Sequence, residues 1–412
     1  MKVATLSIGD ELICGEVTDT NQSYLATRLY DLGLRAERHL MVGDDEEAIV
    51  AALNELAAVY DVVLATGGLG PTPDDLTSAA AARAAGVPLA HSPEAQAHLA
   101  EFAKRLNREL HPLNDRQAQL PQGCGLIPNP NGTATGFRVS IGRADCYFMP
   151  GVPFEMKPML EETVLPVLLT ASGVTPGLRS TLKIFGLPEA VAAAELEGVL
   201  PEGSPVQLAY CVKFPEIHLI LRTPGTHPAE HQAALAALRG RMAHHLFAED
   251  EATLDSVLAE LFRKTGATLA LAESCTGGMI AERVTRTAGS SAWFLEGAVT
   301  YSNEAKSRLL GVAPELIAAR GAVSEEVALA MAEGARAKSG AAIAISVTGI
   351  AGPEGGSAEK PVGTVYIALA DAKGCRAKRH QFPGDRERVR AITCFTALNW
   401  LRRQLLAGKV RG

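Results

Sequence analysis

No apolar run in the sequence approaches the ~20 residues that cross a bilayer. The N-terminus, MKVATLSIGDEL, also lacks the charged, apolar and small-residue succession of a secretory leader. A cytoplasmic protein without a membrane partner is expected. Its seven cysteines are scattered, with no C-x-x-C and no Cys/His cluster, which excludes a disulfide framework and structural zinc and predicts reduced thiols. Positive charge is short. Lys and Arg total 39 against 46 Asp and Glu, a net charge of −7, the wrong sign for a protein whose partner is a polyphosphate backbone. Nucleic acid is therefore not an expected partner, although a few N–H groups and one or two cations suffice for a small anion.

At 412 residues the chain exceeds the size at which one core keeps growing, so two or three domains are expected. The first, 1–168, alternates strands ("KVATLSIG", "DVVLATGG", "ADCYFMPGVP") with a helix, "NQSYLATRLYDLG", whose Leu25, Leu29 and Leu32 share a face. Such alternation predicts a mostly parallel sheet with ligands at the carboxyl ends of its strands. From about 169 to 250, the turns "SGVTPGLRS", "PEGSP" and "RTPGTHP" punctuate short strands and one helix, "AEHQAALAALRGRMAHHL", which predicts a small α+β domain. His244 and His245 fall on that helix without a further ligand at i+3 or i+4, so they are read as solvated or half-buried and not as metal ligands. Residues 251–412 open with Thr253 as an N-cap, a stripe of Leu254, Val257, Leu258, Leu261 and Phe262, and Gly266 as a C-cap. A second α/β domain follows. The expected architecture is two three-layer α/β domains joined by the small α+β one.

In the last domain three predicted strand ends deliver polar residues: "ESCTGG" (273–278), "TYSNEAK" (300–306) and "VTGIAGPEGG" (347–356). Such ends share one edge of an open sheet, so the three loops should line one cleft. Gly277 and Gly278 at a helix start would expose N–H groups to an anion such as a phosphate. Ser274 is a candidate nucleophile and Lys306 the amine that would take its proton, provided burial or a nearby cation lowers the lysine pKa. Ser274 and Thr276 read equally well as helix caps, and Cys275 as a small buried hydrophobe. Ser291 in "AGSSAWF" is an alternative to Ser274, or a proton relay. The loop "GPEGGSAEKP" reads as a flexible cover.

"AESCTGG", "VTYSNEAK", "VTGIAGPEGG", "KPVGTVYIAL" and "FPGDRERVR", in this order, resemble the CinA C-terminal family of bacterial nicotinamide mononucleotide (NMN) deamidases. The resemblance implies hydrolysis of the NMN carboxamide to nicotinate mononucleotide and ammonia, without a cofactor. Under it Ser274 attacks the amide carbon, Lys306 moves the proton, and N–H groups near Ser274 or Thr348 hold the oxyanion. Tyr301 borders the pyridine ring and Arg388 pairs with the ribose phosphate, while Thr276, Gly277, Gly278 and Gly349 contact substrate.

Nearer the N-terminus, "TGGLGPTPDDLT" follows a strand. Gly67, Gly68 and Gly70 could offer N–H groups to a phosphate, with Thr72 beside them, and Asp74 and Asp75 could hold a divalent cation. It is not a Walker A turn, because no Lys-Ser/Thr follows. A plain turn with Thr72 or Asp74 capping a helix is the alternative. "SIGDELICGEVTDTN" adds Asp10, Glu11, Asp19 and Asn21 after another strand. These stretches, with "NPNGTATGF" and "MPGVPFEMKPM", resemble the CinA N-terminal domain, itself similar to molybdopterin-binding domains. That resemblance implies metal-dependent cleavage of ADP-ribose to AMP and ribose 5-phosphate, with Asp10, Asp74 or Asp75 holding the cation, whose identity stays open. Turnover is not assured by it: binding of a nucleotide or molybdopterin alone is the second reading, and a competence or DNA-damage accessory the third. The middle domain takes the place of a KH-like module but has no clear G-x-x-G clamp. A homodimer is expected from the resemblance.

Overall fold

The structure, a computed structural model, describes residues 1–408; the last four residues of the predicted third domain lie outside the described residues. The chain divides into two compact units, Met1–Arg179 with Arg222–His231, and Ser180–Leu221 with the chain from Gln232 onward.

The first unit is built on a six-stranded sheet in the order Ala36–Val42, Val3–Ile8, Val62–Thr66, Ala144–Met149, Gly136–Ile141, Gly125–Ile127. The first four run parallel, Gly136–Ile141 runs against them, and Gly125–Ile127 pairs antiparallel with Gly136–Ile141. Val3–Ile8 and Val62–Thr66 are buried at every position, as central strands covered on both faces must be. Their side chains alternate between two cores. Leu6, Ile8, Val63 and Ala65 pack with Ile49 and Leu53, whereas Val3, Val62 and Leu64 pack with Leu25, Leu29 and Met156. The result is the expected three layers.

The second unit carries a five-stranded sheet in the order Phe294–Val299, Leu269–Glu273, Ile343–Gly349, Thr364–Asp371, Gly374–Gln381. Leu269 and Leu271 face the Arg386–Leu406 helix, while Ala270 and Ala272 face Val327 and Met331 on the other side. Thr253 caps the Leu254–Thr265 helix in a capping box with Ser256, and Gly266 closes it in the left-handed conformation, as predicted. One expectation changes. Thr364–Asp371 pairs antiparallel with Ile343–Gly349 and Gly374–Gln381 antiparallel with Thr364–Asp371, because a loop and not a helix joins Gly349 to Thr364, and parallel return needs a crossover of a dozen or more residues that climbs the sheet.

The predicted middle segment forms a four-stranded sheet, Gln207–Lys213, Glu216–Thr223, Leu178–Phe185 and Leu246–Glu249, with the helices Glu189–Glu195 and Pro228–Arg241. It has its own core around Leu182, Leu219 and Leu238, yet most of it is counted with the second unit. His244 and His245 lie in the turn after the helix, not on it. The His245 Nδ1 is 3.1 Å from the Phe185 carbonyl oxygen, and no group of three or more metal-ligating side chains is assembled among the described residues. Seven cysteines are free. No helix among the described residues is long and apolar enough to cross a membrane.

Candidate active site

Glu273 ends its strand opposite both Val299 and Val347 of the parallel neighbours, so the three predicted loops leave one edge of the sheet. Ser274, 8% exposed, is pinned there by its N–H, which donates to the Val347 carbonyl at 3.0 Å. Lys306 comes from the Asn303–Leu310 helix, whose N-cap Ser302 accepts from Ala305 N–H. Its side chain is driven inward until the residue is 1% exposed, an unusual place for an ammonium. Lys306 Nζ lies 3.2 Å from Ser274 Oγ, 2.9 Å from the Thr300 carbonyl oxygen and 3.5 Å from that of Tyr301. Burial pushes its pKa below the ordinary value of 10.5, while the Cys275 and Glu304 charges act in the opposite direction. In the neutral amine two N–H bonds can point at the carbonyls, leaving the lone pair to face the serine hydroxyl. An amine so placed can take the proton of a serine hydroxyl, one of the ways a serine is activated as a nucleophile.

Neighbouring groups are arranged differently from the expectation. Neither Ser274 nor Thr276 caps the Met279–Thr285 helix: Gly278 is its N-cap residue and offers no side chain. The buried Glu273 carboxylate closes the helix instead, accepting from Gly278 N at 3.1 Å, Ile280 N at 3.1 Å and Ala281 N at 2.8 Å. Gly277 N donates to Ser274 O and Met279 N to Thr276 O. Every amide from 277 to 281 is therefore engaged, and the predicted phosphate cradle at Gly277 and Gly278 is not available. The amides of Cys275 and Thr276, by contrast, donate to no acceptor among the described residues. Cys275 is no rival nucleophile, since burial pushes its thiol up to about 12.

Around the pair, Tyr301 is 57% exposed and its hydroxyl accepts from Arg386 at 2.6 Å. Arg386 also donates to the Gly352 carbonyl at 2.7 Å, and Arg390 to the Thr276 carbonyl at 2.8 Å. Sequence reasoning missed both arginines and chose Arg388, whose guanidinium instead lies over the Phe214 ring at 4.5 Å. Residues 386 and 390 stand one turn apart on a helix face that 388 does not share, a spacing that was there to be read. The Thr348 hydroxyl donates to the Ala322 carbonyl at 2.8 Å, so its side chain is engaged. At Gly349 a Cβ would stand 3.1 Å from Cys275 Sγ and 2.7 Å from Val365 Cγ2, so glycine there serves the close approach of strand and turn. Ser291 is set apart: it precedes the Phe294–Val299 strand, whose far end lies beside Glu273, a separation on the order of 20 Å along the strand. The alternative of Ser291 as nucleophile or relay is thereby removed. The loop predicted to cover the cleft is fastened by Lys360 Nζ on the Arg320 carbonyl at 3.0 Å and by Arg386 on Gly352.

In the first unit, the Gly9, Gly67–Gly70 and Gly151 turns follow the parallel strands Val3–Ile8, Val62–Thr66 and Ala144–Met149. Gly67 has φ 108°, and a Cβ there would meet the Ile8 carbonyl oxygen at 2.0 Å, so no other residue fits. Its N–H donates to Met149 O. Asp75 is not a free cation ligand, because its carboxylate accepts from Gly70 N at 2.7 Å, Thr72 N at 2.8 Å and Thr72 Oγ1 at 2.5 Å. Of the predicted glycine donors only Gly68 N is without an acceptor among the described residues. Neither Thr72 nor Asp74 caps the Thr77–Ala85 helix, whose N-cap residue Leu76 has no side-chain bond. Asp10 and Asp44 exchange bonds, each carboxylate accepting the other's N–H at 3.0 Å. The Asp44 pKa is raised by burial, with Asp10, Glu11 and Asp74 adding repulsion. Asp19 caps the Thr20–Asp31 helix and accepts from Ser7 Oγ at 2.5 Å. Asn21 donates to Gly151 O at 2.7 Å.

Comparison with known proteins agrees with this two-part organisation. Residues 251–405 match the model of the CinA C-terminal domain, and residues 4–170 that of the probable molybdopterin binding domain. A CinA-like protein of Citrifermentans bemidjiense is 64% identical over 99% of both chains, and one of Geobacter sulfurreducens is 52% identical over 98% of this chain and 100% of its own. Among solved structures, a competence/damage inducible protein of Agrobacterium tumefaciens is 44% identical, covering 36% of this chain and 93% of its own with a TM-score of 0.35. The chain belongs to the CinA family.

Proposed function

We propose that the second unit is an amidohydrolase that cleaves the carboxamide of NMN to nicotinate mononucleotide and ammonia. One observation carries the reading: a buried lysine amine of lowered pKa, 3.2 Å from the hydroxyl of a buried serine at the end of a parallel strand. Lys306 takes the Ser274 proton as Oγ attacks the amide carbon, and the oxyanion is met by the Cys275 and Thr276 amides. Lys306 then protonates the departing nitrogen, so that ammonia leaves and a nicotinoyl ester stays on Ser274. Water repeats the sequence, with Lys306 again as base, and frees the carboxylate. Arg386 and Arg390 replace Arg388 as the cations for the ribose phosphate. No cofactor enters this scheme. Trapping the nicotinoyl ester during turnover and locating it by peptide mass tests the assignment: an adduct on any residue other than Ser274 overturns it.

For the first unit the reading is a site for a phosphate-bearing nucleotide, with cleavage of ADP-ribose as its activity. The repulsion gathered at Asp44 favours it, because Asp10, Glu11 and Asp74 place like charge where a cation would relieve it. No three-ligand cage exists among the described residues, but Mg²⁺ is commonly held by one or two carboxylates together with substrate phosphates. Asp10 and Asp74 fit that role and Asp75 does not. Such a cation would neutralise the diphosphate. Release of AMP from ADP-ribose, with and without a divalent metal, decides between turnover and binding alone. The homodimer expected from the resemblance is part of the proposal and is tested by sedimentation. Firm, salt-dependent retention of DNA at physiological ionic strength would instead favour the accessory role.

A further inference from the structure

The second unit contains a cavity of about 240 Å³ that the amidase reading does not use. It lies between the turn after Phe185, the Gly374–Gln381 strand and the later part of the Arg386–Leu406 helix, beginning roughly 15 Å along that helix from Arg386. Its titratable lining consists of His245, Lys378, His380 and Arg403, with no carboxylate. In a chain of net charge −7 that is a marked local reversal.

Its donors lack acceptors. His380 Nε2, a donor in the tautomer that carries its proton there, is buried and makes no hydrogen bond, although a buried polar atom without a partner costs about 1–3 kcal/mol. Lys378 Nζ lies 4.8 Å from the centre of the Trp400 ring and forms no ion pair among the described residues. Asn399 accepts from Arg402 Nε at 3.0 Å through Oδ1, while its amide nitrogen donates to nothing in the described protein. Arg403 donates to the His244 carbonyl, which leaves the rest of its guanidinium fork. Behind this wall Arg402 is buried without a carboxylate. Burial, and then repulsion from Arg403, push its pKa down to about 10. Burial and the Lys378 charge likewise lower that of His380. Cations crowded together without counter-charge are costly unless something anionic joins them.

We propose that this cavity binds a small dianion rich in acceptor oxygens, of the phosphate monoester class, held by Lys378, His380, Asn399 and Arg403. Lys and Arg supply the fixed charge, and the His380 and Asn399 N–H groups complete the shell. The site is separate from the Ser274–Lys306 pair and does not depend on the substrate of that pair.

Inorganic phosphate is the probe, titrated into the full chain at fixed ionic strength and followed by thermal unfolding and by calorimetry. A ligand that binds only the folded state raises the midpoint in a saturable way. Saturable binding is expected, weakened at least about tenfold in Lys378→Gln and in His380→Gln, and retained in Lys306→Met. Lys378 is exposed, so its variant keeps the fold, and an unchanged unfolding midpoint in the absence of phosphate confirms this. An equal, unsaturated shift in wild type and variants would be the general stabilisation that phosphate gives any folded protein, and would overturn the proposal. Tighter binding of succinate than of phosphate would overturn the phosphate assignment.

Discussion

Two glycine-rich turns at the ends of parallel strands, one in each unit, solve the same local problem from opposite sides. At Ser274 the carboxylate that satisfies the turn precedes it: Glu273 closes the helix beyond the glycines. At Gly67–Gly70 the carboxylate follows, and Asp75 folds back on Gly70 and Thr72. Each turn thus has a carboxylate of its own chain on its amides. What differs is the chemistry left over. In the second unit it is a buried hydroxyl–amine pair, to which the proposed amidase assigns the proton transfer. In the first it is a rim of exposed carboxylates, suited to a cation shared with solvent and substrate phosphate.

Removing the buried pair should have the largest effect. Ser274→Ala and Lys306→Met should each lower kcat for ammonia release at least about 10³-fold, the scale of losing a nucleophile or its base. The folding consequence of Lys306→Met has the opposite sign. A lysine whose pKa is depressed by burial makes the native state bind fewer protons than the unfolded one between the depressed value and 10.5. Wild-type stability therefore rises as pH climbs through that window, and below it the full penalty of burying the charge remains. Lys306→Met should be at least as stable as wild type at neutral pH and should lack this alkaline gain; urea melts across pH would show it. In wild type, kcat/KM should rise along a limb whose midpoint lies below 10.5. A midpoint at the free-lysine value would remove Lys306 as the base.

The two carboxylates that hold the turns come next. Glu273→Gln should cost about 1.5–3 kcal/mol, because a buried charge-assisted set of three bonds is lost or weakened. Asp75→Ala should cost less, about 1 kcal/mol, on the scale of a lost cap in a more exposed loop. Asp74→Ala should stay within about 0.5 kcal/mol of wild type, as surface changes away from such features do. For AMP release from ADP-ribose the order should invert, Asp74→Ala being severe in a way that its stability does not explain. If Asp75→Ala alone abolished release at unchanged stability, Asp75 would return to the cation site.

Much of this was legible in the sequence, for physical reasons that can be named. The unbroken apolar run in "VVLAT" marked a buried strand and that in "LALAE" a strand, and the three polar loop tips could be placed together because parallel strands end at one edge. Hence Ser274 and Lys306 could be paired across thirty-odd residues of chain. Direction was less visible. "GTVYIALAD" has the same pattern whether its strand runs parallel or antiparallel, and only the missing crossover helix decides. Glu273 stands in the sequence only as one of the polar residues at a predicted strand end, because a carboxylate reaching forward to amides five to eight residues on leaves no local pattern. Glycines beside a helix start promised free N–H groups, a promise that depended on where that one side chain went.

The smallest effects test the arginines, where spacing was misjudged. Arg386 and Arg390 share a helix face and hold Tyr301 and the Thr276 carbonyl, whereas Arg388 covers Phe214. If the ribose phosphate of NMN is met from the first face, Arg386→Gln and Arg390→Gln should each raise KM roughly tenfold, the worth of one charge-assisted contact at about 1.5 kcal/mol. Arg388→Gln should leave KM within about twofold, since the cation–π contact it loses is worth only about 0.5–1 kcal/mol at an exposed site and touches no reacting group. Steady-state kinetics on all three separate the faces. A KM effect confined to Arg388→Gln would mean that substrate draws this guanidinium off the Phe214 ring, and would move the phosphate subsite to the other side of the helix.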